Sequence, residues 1–244
     1  MSGENMHISR TIHPTYYRSR LPVHLQKEYR RVVHALLHKR KTTWITPSIT
    51  SSELASVIYA VHHDHPEFFY IYWWQTPLYM GSILQFQYML EDPFLSACQH
   101  TIRDHANEIR CEFSSYTPKL AFRKLANKIA KEVTYKDTGS GFYDHTLYGA
   151  LKQKSAVCEG ISKLFLFYCQ HLRLPAILVS GTVNGVGHAW CLVEYNGVRR
   201  HIDITAQLSI AEAVGTCSPF LFKTDSEMLA AGYQWDTTLI PATN

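Results

Sequence analysis

The dipeptide Asn196-Gly197 lies between two strand-like runs, 188–195 (HAWCLVEY) and 198–205 (VRRHIDIT). Asn-Gly suits a two-residue type I′ turn, because both central residues of that turn need positive φ. Such a turn fixes a register in which Tyr195 faces Val198, Trp190 faces Asp203 and His188 faces Thr205. Opposed residues share a sheet face, as do residues two apart on one strand. His188 and Asp203 are therefore diagonal neighbours, with Cα atoms about 7–8 Å apart and within reach of an imidazole–carboxylate hydrogen bond. Ala189, Cys191, Val193, Ile202 and Ile204 make the opposite, apolar face. A slip of one residue would separate the pair.

Upstream of the hairpin the chain alternates helical and strand-like patterns. Residues 22–40 carry Leu25, Tyr29, Val32, Val33, Leu36 and Leu37 at helical spacing. A second helix fits 50–66, with Thr50, Ser51 or Ser52 as its cap and Pro66 as its stop. The aromatic and apolar runs 67–76 and 83–90 read as strands. Helices follow over 92–113 and 117–135, the latter striped by Leu120, Leu125, Ile129 and Val133. Residues 136–146 read as a loop. From about 158 a helix runs to Pro175, then a strand over 176–183 and a turn over 184–187 lead into the hairpin. Helix followed by antiparallel strands predicts an α+β fold. The expected organisation is an N-terminal α/β region over 1–115, packed on a core over 116–244.

With 46% hydrophobic and 18% charged residues in 244 positions, the composition is that of a packed protein rather than a disordered one. The net charge of +4 does not demand nucleic acid. The basic run Arg30, Arg31, His34, His38, Lys39, Arg40 and Lys41 reads as a solvated helix face. No stretch is apolar enough to cross a membrane and the opening residues hold no apolar signal core, so a cytoplasmic location is expected. The six cysteines are scattered, none spaced C-x-x-C, and each reads first as a free buried thiol. Cys169 and Cys191 fit that description best, falling inside apolar patterns.

Cys158 is different, because it opens a helix. The first N–H groups and dipole of a helix favour a nearby anion. Lys154 to Val157 bring no large ring to cover the sulfur, and Gly160 permits close approach of another backbone. A thiol nucleophile needs a base, and the base needs a third group to hold its tautomer. Cys158, His188 and Asp203 have these chemistries in chain order. Spacing alone does not bring Cys158 to His188, and a structural thiol remains open on this reading.

Residues 148–165 (YGALKQKSAVCEGISKLF), 187–197 (GHAWCLVEYNG) and 201–205 (HIDIT) together resemble the transglutaminase-like branch of the papain-related cysteine enzymes. The segments 64–71 (DHPEFFYI) and 221–241 are similar to those of bacterial transglutaminase-like cysteine peptidases. Ala206 and Ile161-Ser162 depart from the usual pattern without removing a reactive group. The resemblance implies a papain/transglutaminase-like core, a helix packed on an antiparallel sheet. It also implies a Cys158–His188–Asp203 triad acting on a peptide or protein amide through a thioester. Water then gives peptidase or deamidase chemistry, and an amine gives transfer. Hydrolysis is preferred over crosslinking; the alternatives are an amide-forming acyltransferase in biosynthesis and a silent protein-binding module. The Cys158 N–H is the first oxyanion donor, with Tyr148, Gln153 or Trp190 as further oxyanion or groove residues. No cofactor or metal is expected.

The cluster His62, His63, Asp64 and His65 invites a metal, but adjacent helical residues do not share a face. His201 reads as a surface histidine or a neighbour of the site. Trp190 reads equally as groove or core, and Trp73-Trp74 as core.

Overall fold

Residues 158–171 are apolar on nearly every side, which marks a helix buried all round. In the computed structural model, which describes residues 12–73, 78–80, 82–137, 143–206 and 220–244, these residues form the central helix. The helices are α1 (Tyr16–Arg20), α2 (Val23–Leu37), α3 (Ser51–Asp64), α4 (Phe94–Phe113), α5 (Pro118–Glu132), α6 (Cys158–His171) and α7 (Asp225–Ala230). A five-stranded antiparallel sheet packs on α6. Its strands are β6 (Ala176–Val183), β7 (Val186–Tyr195), β8 (Val198–Ile202), β9 (Leu221–Lys223) and β10 (Tyr233–Trp235), in the order β10-β6-β7-β8-β9. A smaller antiparallel sheet joins β1 (Thr42–Trp44), β3 (Ile83–Gln85) and β2 (Leu78–Met80), and β4 (Thr134–Tyr135) pairs in parallel with β5 (Ser155–Ala156). The fold is α+β, as the order of patterns predicts. Among the described residues no helix is long and apolar enough to cross a membrane.

The hairpin has the expected register. Asn196 and Gly197 have φ of 51° and 74°, and Tyr195 pairs with Val198. Asn184 and Gly185 make the same kind of turn, with φ of 50° and 81°, so β7 begins at Val186 rather than His188. At the far end β8 stops at Ile202, short of the expected 205. The Asp203 N–H goes instead to the Phe220 carbonyl (3.1 Å), and 204–206 is a helical turn. His188 and Thr205 are therefore not ladder partners.

Two expected strands are shorter than their apolar runs. Residues 67–73 pass through turns, with one bridge from Ile71 to Tyr88, and 74–77 lie outside the described residues. Phe68, Phe69, Tyr70 and Ile71 are all buried in succession, which a strand with one wet face does not permit. The run 83–90 is a strand only over Ile83–Gln85.

The expected boundary at 115/116 falls in the turn between α4 and α5, and a buried core runs through both halves. Tyr17 donates its hydroxyl to the Leu178 carbonyl on β6, and Gln170 of α6 donates to the Asp64 carbonyl of α3 (2.8 Å). Several cations of the basic run are paired, Arg31 with Glu28, Lys39 with Asp92 and Lys41 with Glu91.

Helix α3 starts on a capping box. The Glu53 N–H donates to Thr50 Oγ1 (3.2 Å), and the Thr50 N–H donates to Glu53 Oε2 (2.9 Å). Thr50→Ala is expected to cost about 1 kcal/mol. The check is a lowered urea midpoint with an unchanged slope.

Candidate active site

Cys158 is the first residue of α6, after the extended Val157. Two contacts place it there. The Val157 N–H donates to the Asp144 carbonyl (3.0 Å), and Gly160 packs against the same segment. A Cβ at Gly160 would stand 2.5 Å from the Asp144 carbonyl oxygen and 2.9 Å from that of Thr146, so only glycine fits. The close approach expected at Gly160 is thus made by residues 144–146. The Cys158 side chain is half-buried, whereas Cys98, Cys169 and Cys191 are buried and Cys111 is exposed. Burial pushes the Cys169 and Cys191 thiols up. Cys217 lies outside the described residues.

His188 comes from β7, opposite Gly181 of β6. Its Nε2 is 2.7 Å from Asp203 Oδ2, and the Cys158 side chain adjoins the ring in the lining of the same cavity. With Nε2–H given to the carboxylate, Nδ1 is the nitrogen left for the sulfur. Asp203 is fully buried. Besides His188, the Tyr233 hydroxyl donates to Oδ2 (2.7 Å) and the Ala206 N–H donates to Oδ1 (3.0 Å). Burial alone would lower the His188 pKa from 6.5. The hydrogen bonds to Asp203 and Cys158, and then their charges, raise it to about 10 instead.

Trp190 lies beneath this pair and is fully buried, its ring stacked on His188 at 5.9 Å. It is core, not groove. Its Nε1–H donates to His201 Nδ1 (2.9 Å), leaving the His201 Nε2–H for Asp225 Oδ1 (2.8 Å). His201 is fully buried, so the surface reading is corrected: a tryptophan and a carboxylate use both ring nitrogens. Tyr148 stacks on Phe69 at 5.3 Å and Gln153 is exposed at the end of a π-helical turn, so neither lines the space around Cys158.

That space is a cavity of about 710 Å³, with Cys158, Glu159, His145 and His188 at one side and α3 at the other. Glu159 stands at the centre of a buried polar cluster. Its Oε1 is 2.7 Å from Lys163 Nζ and 3.0 Å from His62 Nε2, and its Oε2 is 3.1 Å from His145 Nδ1. Burial would raise the Glu159 carboxyl, but Lys163, His145 and His62 hold it well below the carboxylate range. Of these, Glu159 and Lys163 were legible as an i,i+4 pair. His62, His145 and Tyr233 arrive from distant segments that no local pattern connects.

The His62–His65 cluster does not converge. His62 turns to Glu159, His63 to Ser180, Asp64 to the backbone of Tyr17 and Arg18, and His65 to Tyr29 and Glu67. Among the described residues no three His, Cys, Asp or Glu side chains are grouped to hold a metal ion.

A folded His188 pKa above the ordinary value means that the native state holds the proton more tightly. This contribution to stability is complete below about pH 6.5 and is lost as pH rises through about 10. Asp203→Asn is expected to lower the His188 midpoint by more than about one unit and to flatten that loss. Imidazole NMR titration with urea melts at each pH measures both, and an unmoved midpoint would contradict the assigned role of Asp203.

The family model of the transglutaminase-like superfamily matches residues 110–203, which contain Cys158, His188 and Asp203. No curated protein matches the chain. Among solved structures, a proposed cysteine protease from Cytophaga hutchinsonii is 19% identical, with a TM-score of 0.37, over 44% of this chain and 38% of its own. A structure named as a TGase is 18% identical, with a TM-score of 0.38, over 48% of this chain and 33% of its own. The chain thus spans 38% of the one protein and 33% of the other. Over residues 110–203 it is similar to the transglutaminase-like superfamily.

Proposed function

We propose that the chain is a thiol-dependent hydrolase of amide bonds in peptides or proteins, with Cys158 as nucleophile, His188 as base and acid, and Asp203 as its orienting partner. The observation that carries this reading is one imidazole that adjoins a half-buried thiol and is hydrogen-bonded to a fully buried carboxylate. His188, with its pKa raised to about 10, holds the proton taken from the thiol, and the paired thiolate adds to the amide carbonyl carbon. The backbone N–H of Cys158 is the first donor to the oxyanion. The C–N bond then breaks as the imidazolium protonates the leaving amine or ammonia, and a thioester remains. Water adds to the thioester while His188 accepts its proton. The acid departs, and the proton returns to sulfur.

Asp203 keeps the His188 Nε2–H engaged and stabilises the imidazolium, the role such a carboxylate has in a triad. Water as acceptor requires no second binding site, which favours a peptidase or deamidase over a transferase.

Cys158 is expected to react with iodoacetamide near neutral pH faster than Cys111, which is more exposed, and faster than the buried cysteines. A peptide library incubated with wild type and with Cys158→Ala, then analysed by mass spectrometry, tests the reaction itself. Cleavage with gain of water, or loss of ammonia with formation of an acid, should fall at least about 10³-fold in the variant. A joined amine would replace hydrolysis with transfer. Equal products from both proteins would remove the catalytic reading.

A further inference from the structure

The cavity beside Cys158 offers a substrate almost no polar hold. Its walls on the α3 side are Leu54, Ala55, Ile58, Tyr59 and Trp73, with Ala189 from β7. Several polar groups beside them are already engaged. His63 Nδ1 bonds the Tyr59 carbonyl and its Nε2 bonds Ser180 Oγ, each at 2.9 Å. Trp73 Nε1–H donates to the Phe68 carbonyl (3.2 Å). Glu159 and Lys163 are paired with each other. Burial, then the neighbouring His62, pushes His63 down to about 3, so it is neutral at any working pH. Burial, then Lys163, also lowers His62. A charged side chain seated against this apolar wall would lose its hydration without gaining a partner there.

We infer that this cavity selects amides whose acyl component carries a bulky apolar side chain, aromatic or branched aliphatic. The inference rests on Cys158 being the nucleophile proposed above. The acyl side is the one concerned, because the thioester keeps the acyl group on a sulfur that itself lines the cavity, while the amine leaves. A volume of about 710 Å³ is within the range of small-molecule sites and holds such a side chain with room to spare. Helix α3, from outside the segment matched by the superfamily, is thereby the specificity element.

The test uses N-acetyl aminoacyl chloromethyl ketones bearing Phe, Leu, Glu or Lys side chains. The rate of Cys158 labelling is read by mass spectrometry and divided by the same protein's iodoacetamide rate. The Phe and Leu probes are expected to exceed the Glu and Lys probes by about 10-fold or more, the effect of burying one such side chain. Ala55→Trp, at an exposed helical position in the lining, narrows the cavity and should lower the Phe-over-Glu ratio at least about threefold. Equal rates in wild type, a preference for charge, or a Phe preference undiminished by Ala55→Trp overturns the inference. In those cases fast iodoacetamide labelling of Cys158 leaves the thiol reading standing; labelling no faster than that of Cys111 removes both. If Ala55→Trp does not fold, the wild-type ratios decide.

Discussion

The buried carboxylate of Asp203 is the group around which the site is built. A charge taken fully out of water is tolerated only when it is paired and hydrogen-bonded. Three donors meet that demand: the His188 ring, the Tyr233 hydroxyl and the Ala206 N–H. They come from β7, from β10 and from the turn after β8, so one anion ties the central strand to one edge of the sheet and to the chain leaving β8. The same demand explains why β8 ends early. Asp203 gives its own N–H to Phe220 and uses its side chain to start the next turn, instead of continuing the ladder.

A second polar assembly supports the first from below. Trp190 carries its hydrogen bond to His201, and His201 passes on to Asp225 at the start of α7. The stacked Trp190 ring limits where the His188 imidazole can lie. A third cluster, centred on Glu159, joins the start of α6 to α3 and to the segment before the π-helical turn. The residue after the thiol thus links the N-terminal helices to the face that carries the chemistry. The Glu-Gly that follows Cys158 has two jobs: Gly160 lets the 144–146 backbone approach, and Glu159 anchors α3.

The legible part of the site was the part set by short-range rules. An Asn-Gly turn determines a register, and a register determines which side chains share a face; His188 and Asp203 follow from nothing else. The aromatic run at 67–73 shows the limit. β propensity records only that these rings fit a buried surface, and here they fill a core from turns. Of the oxyanion or groove candidates, Trp190 is buried beneath His188, and Tyr148 and Gln153 stand outside the cavity lining, for a related reason. Nearness in sequence to Cys158 or His188 does not say which way a side chain points once the backbone curls through a π turn or the sheet buries one face.

The sequence by itself determined the α+β order, the start of α3 to within the three possible caps at 50–52, the apolar identity of α6 and the His188–Asp203 pair. All of these rest on interactions spanning a few residues or one tight turn. Only the tertiary structure decided that Cys158 meets His188, that Tyr233 completes the carboxylate, and that α3 walls the cavity. Those contacts join segments between 30 and more than 100 positions apart. Their geometry comes from packing α6 against the sheet and α3 beside it, and no local periodicity encodes the relative placement of surfaces that meet only when the core closes.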